Sequence, residues 1–94
     1  MSDSIPEILE KQLKHHLGKA VPANVAHDIH SALQLSEVLE AKGFSFRLKD
    51  LCPKSLNETQ WSAVFIKDGQ EFSANNAESA VAICTAAVGA LSGK

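Results

Sequence analysis

Residues 73–94, SANNAESAVAICTAAVGALSGK, decide how the rest of the chain must be arranged. Ala77, Ala80, Val81, Cys84, Ala87, Val88 and Leu91 recur at helical spacing and make one apolar stripe. The opposite side carries Ala82, Ile83, Ala86, Gly89 and Ala90, so Glu78, Ser79, Thr85 and Ser92 are the only polar positions before the terminal Gly-Lys. Asn75 or Asn76 is placed to cap this helix, and Asn75 with Glu78 has the spacing of a capping box. A helix that is apolar all round is buried all round. A chain of 94 residues has little material with which to cover both sides. The sequence therefore predicts a homo-oligomer whose subunit interface is the small-residue side, Ala82, Ile83, Ala86, Gly89 and Ala90. An Ala-rich surface helix is the alternative, because alanine is the best helix former and is tolerated in water.

Working backwards, Asp68-Gly69 is a strong signal for a two-residue hairpin turn. That turn sets Phe65 opposite Phe72, Ile66 opposite Glu71 and Lys67 opposite Gln70. WSAVFIK has Trp61, Ala63 and Phe65 on one face and Val64 and Ile66 on the other, the pattern of a middle strand with apolar cover on both sides. FSFRLKDL alternates, with Phe44, Phe46 and Leu48 inward and Ser45, Arg47 and Lys49 outward. CPKSLNETQ between these strands reads as a polar loop.

Two helices precede the strands. In SIPEILEKQLKHHLG, Ser4 and Glu7 have capping-box spacing, Pro6 suits the first turn and Gly18 can form the left-handed cap. Ile5, Ile8, Leu9, Leu13 and Leu17 make a single stripe, which predicts a peripheral helix. After the linker KAVPA, Asn24 is placed to cap a central helix that runs to about Lys42 and closes at Gly43. The fold class that follows is α+β, a three-stranded antiparallel sheet with helices on both faces, in the order α-α-β-β-β-α. Residues 1–94 make one domain, of which 1–22 are the N-terminal helix and linker and 23–92 the sandwich.

This order, with HSALQLSEVLEAKGFSF and WSAVFIKDGQEFSANNAESAVAICTAAVGAL, resembles the small phage and prophage proteins of the phage ABA sandwich domain family. The marks are Ala32, Glu37, Leu39 and Gly43 approaching the first strand, Trp61, Ala63 and Phe65 in the second, and the run from Ala82 to Ala87. The resemblance covers about residues 25–92 and leaves out the first helix. It implies a phage-encoded accessory protein of no assigned activity, acting in the cytoplasm of an infected bacterium, and does not imply an enzyme.

Composition agrees with an ordinary cytoplasmic domain. A net charge of −2 gives no general attraction to nucleic acid or anionic membrane, and no apolar run has the length of a signal peptide or a membrane span. Cys52 and Cys84 lack metal or redox spacing; Cys84 reads as an inert core thiol and Cys52 as a loop thiol in a reducing compartment. His15, His16, His27 and His30, with Asp28, are the one set from which a metal site could be drawn. Adjacent His15 and His16 cannot share a helix face, so no metal or other cofactor is expected. Phosphate-binding glycine motifs are absent. The element order is also that of a double-stranded RNA-binding domain, but Asn75, Asn76 and Glu78 stand where that domain places phosphate-gripping lysines, so no double-stranded nucleic acid is expected.

The remaining surface with chemical character is Ser45, Arg47, Lys49, Lys54 and the rim of Trp61, a small set of cations beside an aromatic. It could hold a nucleotide or an acidic protein surface, or it could be a solvated strand face with protective charges. The functional expectation is a non-enzymatic binder that antagonises a host antiviral defence. It would sequester a small nucleotide signal in an oligomer or block a defence protein; the alternative is a structural or regulatory interaction module with no small ligand.

Overall fold

The computed structural model describes residues 5–22, 24–50 and 60–92. Helix α1 spans Ile5–Leu17 and is followed by a short 3-10 turn, Gly18–Ala20. Helix α2 spans Ile29–Ala41, strands β1, β2 and β3 span Ser45–Asp50, Trp61–Lys67 and Gln70–Asn76, and helix α3 spans Ser79–Ser92. The α+β class and the order of elements are those that the sequence predicts. β2 is the middle strand of an antiparallel β1-β2-β3 sheet.

The hairpin has the predicted register, with Phe65 opposite Phe72, Ile66 opposite Glu71 and Lys67 opposite Gln70. Asp68 and Gly69 both have positive φ, 53° and 81°, which the two central residues of a type I′ turn require. Phe46 pairs with Phe65 on the other side, so an aromatic row, Phe46-Phe65-Phe72, crosses the inner face of the sheet. Phe65 is fully buried; its ring centroid lies 5.0 Å from that of Phe46 and 6.4 Å from that of Phe44. Each such ring pair contributes about 0.5–1.5 kcal/mol beyond the area it buries.

α3 packs across β2 and β3 and against both α1 and α2, and α2 also contacts β1. Leu9 and Leu13 of α1 and Ala32, Leu35 and Leu39 of α2 are buried in the same core as Ala63, Phe65 and the whole middle of α3. Between α1 and α2, Val25 and Ala26 are also fully buried. The Ala26 N–H donates to the Glu10 carboxylate at 3.3 Å, and the Cys84 thiol donates to the Val25 carbonyl at 3.4 Å. This segment thus ties α1 to α3.

Three sequence expectations change. Ala82 and Ile83 have no exposure, Ala86 and Ala90 have 2% and 5%, and Gly89 is half-buried, all within one chain. The residues assigned to a subunit interface are therefore core residues, and the premise that a single chain cannot cover them falls. The cover comes from α1 and α2; α1 packs by a single stripe, as expected, and the Leu9 and Leu13 of that stripe are part of the core around α3.

Among the described residues, the helices lie on one face of the sheet, not on both. Ser45, Arg47, Lys49, Glu71, Ser73 and Asn75 on the second face are exposed, and Val64 and Ile66 between them are half-buried beside their cross-strand neighbours. Finally, α2 starts at Ile29 rather than at Asn24. Asn24 adopts a left-handed conformation, φ 57°, with its carbonyl accepting from the N–H groups of His27 and Asp28, and the Asp28 carboxylate caps the helix through His30 N–H. The turn lowers Val25 and Ala26 into the core, which a helix begun at Asn24 would not do.

If α3 is an intrachain core element, Ile83→Ala will destabilise the fold by about 2–5 kcal/mol in denaturant unfolding and leave the subunit number unchanged. A variant of undiminished stability that changes its subunit number would return Ile83 to an interface.

Candidate functional site

Alternation along β1 places Ser45, Arg47 and Lys49 together on the open face, all exposed, as predicted. Their row continues through Ile66, Val64 and Ser62 to Glu71, Ser73 and Asn75. The face is therefore basic at the β1 edge, apolar in the middle and neutral to acidic at the β3 edge. Lys54 lies outside the described residues. Trp61 does not join this group, because it shares the inner face with Ala63 and Phe65, and a residue two positions from another on a strand points the same way. The predicted aromatic partner of Arg47 and Lys49 is thus on the opposite side of the sheet.

A second meeting of cations and aromatics lies where the inner face runs past the last turn of α3. α2 closes with Gly43 at φ 100°; its N–H bonds to the Glu40 carbonyl and that of Phe44 to the Leu39 carbonyl, a Schellman closure that sends Phe44 onto the inner face. The same alternation that buries Phe65 puts Lys67 on that face one pair further on, where the side chain is exposed. Its ammonium stands 5.1 Å from the centroid of the Phe44 ring, within cation–π range.

Lys42, Phe44, Lys67, Asp68, Gln70, Phe72, Ala90 and Leu91 line a cleft of about 330 Å³ there. Its floor is apolar, with Phe44, Phe72 and Leu91 half-buried and Ala90 buried, while the lysines and Asp68 are exposed at its rim. Two ammonium groups against one carboxylate leave the rim positive. The volume is at the low end of the range for small-molecule sites. Sequence reasoning missed this site, although one signal was present: Trp61, Ala63, Phe65 and Lys67 are alternate residues, and a lysine ending an apolar inner row has to emerge from the core edge.

Trp61 lines a different cleft, of about 400 Å³, with Ala26, His27, Ile29 and the entry into α3, Ala77 to Ala80. The Asn76 carboxamide accepts from Glu78 N–H at 2.9 Å and shapes that helix entry. The exposed Glu78 at its mouth disfavours an anionic occupant. Among the described residues, no three His, Cys, Asp or Glu side chains come together to hold a metal ion. No helix among them is long and apolar enough to cross a membrane.

Cys84 is fully buried. Burial, with a smaller contribution from the Glu10 carboxylate, pushes its thiol from an ordinary 9.0 up to about 12. The folded state therefore holds its proton more tightly than the unfolded state does. The resulting stabilisation is complete below about pH 9 and is lost as pH rises toward 12. Cys84→Val should flatten the alkaline fall in stability over that window, and at pH 8 the native thiol should react with iodoacetamide only after unfolding. Fast labelling of native Cys84 at pH 8 would contradict this placement.

In comparisons with known proteins, the chain matches no family model, no curated protein and no solved structure.

Proposed function

We propose that the protein is a non-enzymatic binder that takes up a small anionic ligand with an aromatic body, of the nucleotide class, in the cleft of Lys42, Phe44, Lys67 and Phe72. The observation that carries this reading is the convergence of two ammonium groups and two aromatic rings on one cleft of about 330 Å³. Stacking on Phe44 or Phe72 would hold the flat body, and Lys42 and Lys67 would meet the phosphate with charge-assisted hydrogen bonds. Lys67 already rests over Phe44, so a ligand that takes its place on the ring leaves the ammonium within reach of an anion.

The phage setting comes from the family resemblance. In that setting the binder would antagonise a host antiviral defence in the bacterial cytoplasm by sequestering a small nucleotide signal. A cleft of this size suits a mononucleotide-sized molecule better than a larger one.

The open sheet face favours a second reading. Its charge gradient, from Arg47 and Lys49 to Glu71, across the half-buried Val64 and Ile66, suits an acidic protein surface rather than a small molecule, because it is flat. A blocker of a defence protein, or an interaction module, would use that face.

Thermal shift and calorimetry with adenosine and guanosine monophosphates separate the two. Binding in the cleft should raise the melting temperature by several degrees at a hundredfold excess over Kd. Lys67→Glu and Lys42→Glu should each weaken it about tenfold or more, while Arg47→Glu leaves it unchanged. No shift with any nucleotide, together with a co-purifying protein lost in the Arg47→Glu, Lys49→Glu double variant, would give the open face the function instead.

A further inference from the structure

β3 is an edge strand whose one charged residue, Glu71, is its only side-chain edge protection. Gln70–Asn76 contains no proline, glycine, lysine or arginine, and among the described residues no element pairs with its free side. The opposite edge, β1, carries Arg47 and Lys49.

The hairpin turn fixes which backbone groups of β3 are free. A two-residue turn makes Lys67 and Gln70 a hydrogen-bonded pair, and alternation then directs the N–H and C=O of Phe72 and Ala74 toward β2. The N–H and C=O groups of Glu71, Ser73 and Asn75 point out from the edge.

We propose that two copies of this chain pair through β3, antiparallel about a two-fold axis at Ser73, and so join two three-stranded sheets into one continuous sheet. Ser73 is the middle residue of the strand, and an axis there is the one that pairs β3 over its whole length. It sets Ser73 against its own copy and Glu71 against Asn75, and these are the residues whose backbone groups point outward, so each pair exchanges both of its hydrogen bonds. Side chains also match. On the open face a carboxylate meets a carboxamide, whereas an axis at Glu71 would oppose two carboxylates. On the inner face Phe72 meets Ala74, large against small, and the half-buried Phe72 gains cover. Gln70 then faces the partner's Asn76, which brings the partner beside the lip of the cleft without supplying its lysines or rings.

Native mass spectrometry of the wild-type chain, Ser73→Lys, Ser73→Glu and an equal mixture of the two variants tests this pairing. Ser73 is exposed, so both variants should fold, which circular dichroism checks in the same samples. The wild type should be a dimer, and each variant should raise the dimer dissociation constant about tenfold by opposing like charges at the axis. The mixture should recover the dimer as a heterodimer of one chain of each variant, well above the twofold excess over either homodimer that random pairing gives, because opposite charges then meet at the axis. A wild type that remains monomeric at high micromolar concentration, or a dimer that neither charge weakens, would overturn the proposal.

Discussion

The rest of this molecule depends on one helix with no face to give to water. From Ala80 to Ala87, only Thr85 of α3 is exposed, and its hydroxyl bonds back to the Val81 carbonyl within the helix. Such a helix is stable only under cover on every side. The chain meets that demand with its other elements: β2 and β3 of the sheet, and helices α1 and α2. The many alanines of α3 let these layers approach closely, and Ile83, fully buried, fills the space between them. Covering α3 in this way leaves no described helix for the second face of the sheet. That face stays open because the helices are committed elsewhere.

This division places reactive groups at the margins of the fold. The interior is apolar, and burial holds the thiol of Cys84 protonated, so Cys84 is a packing residue that also donates to the Val25 carbonyl. Polar chemistry is possible where the cover of α3 ends. At the hairpin end, the inner row of β2 continues one residue beyond the core and Lys67 emerges beside Phe44. At the other end, Trp61 meets the helix entry, where Glu78 sets the opposite sign. A positive rim over an apolar floor distinguishes the first from the second and makes it the better seat for an anion.

Local features of the fold are legible in the sequence because local rules determine them. The Asp68-Gly69 turn, the register it sets, the glycines at Gly18 and Gly43 and the inward row of β1 each follow from a few adjacent residues. What periodicity cannot supply is the identity of the surface on which a stripe packs. Leu9 and Leu13 read as the single stripe by which a peripheral helix packs, but not as part of the cover of α3, and leaving them out of that cover is what makes a subunit interface look necessary. Val64 and Ile66 likewise read as residues under a second helix layer, although no described helix lies over them and they are only half-buried. Asn24 is a plausible cap by type, but burying Val25 and Ala26 requires a turn at that point and moves the cap to Asp28. The same limit applies to the site. Cations and aromatics are recognisable as the useful residue types, while residue type alone groups Trp61 with Arg47 across the sheet and reads Lys67 only as a hairpin residue.

That α3 is covered by its own chain is tested most directly by native-state hydrogen exchange of the α3 amides, followed by NMR at several protein concentrations. Intrachain cover predicts that the amides from Ile83 to Ala87 exchange only through global unfolding, with protection in a Ser73→Lys background independent of concentration. Exchange through a smaller opening, with protection that rises as protein is added to that background, would mean that a partner supplies the cover, contrary to this account.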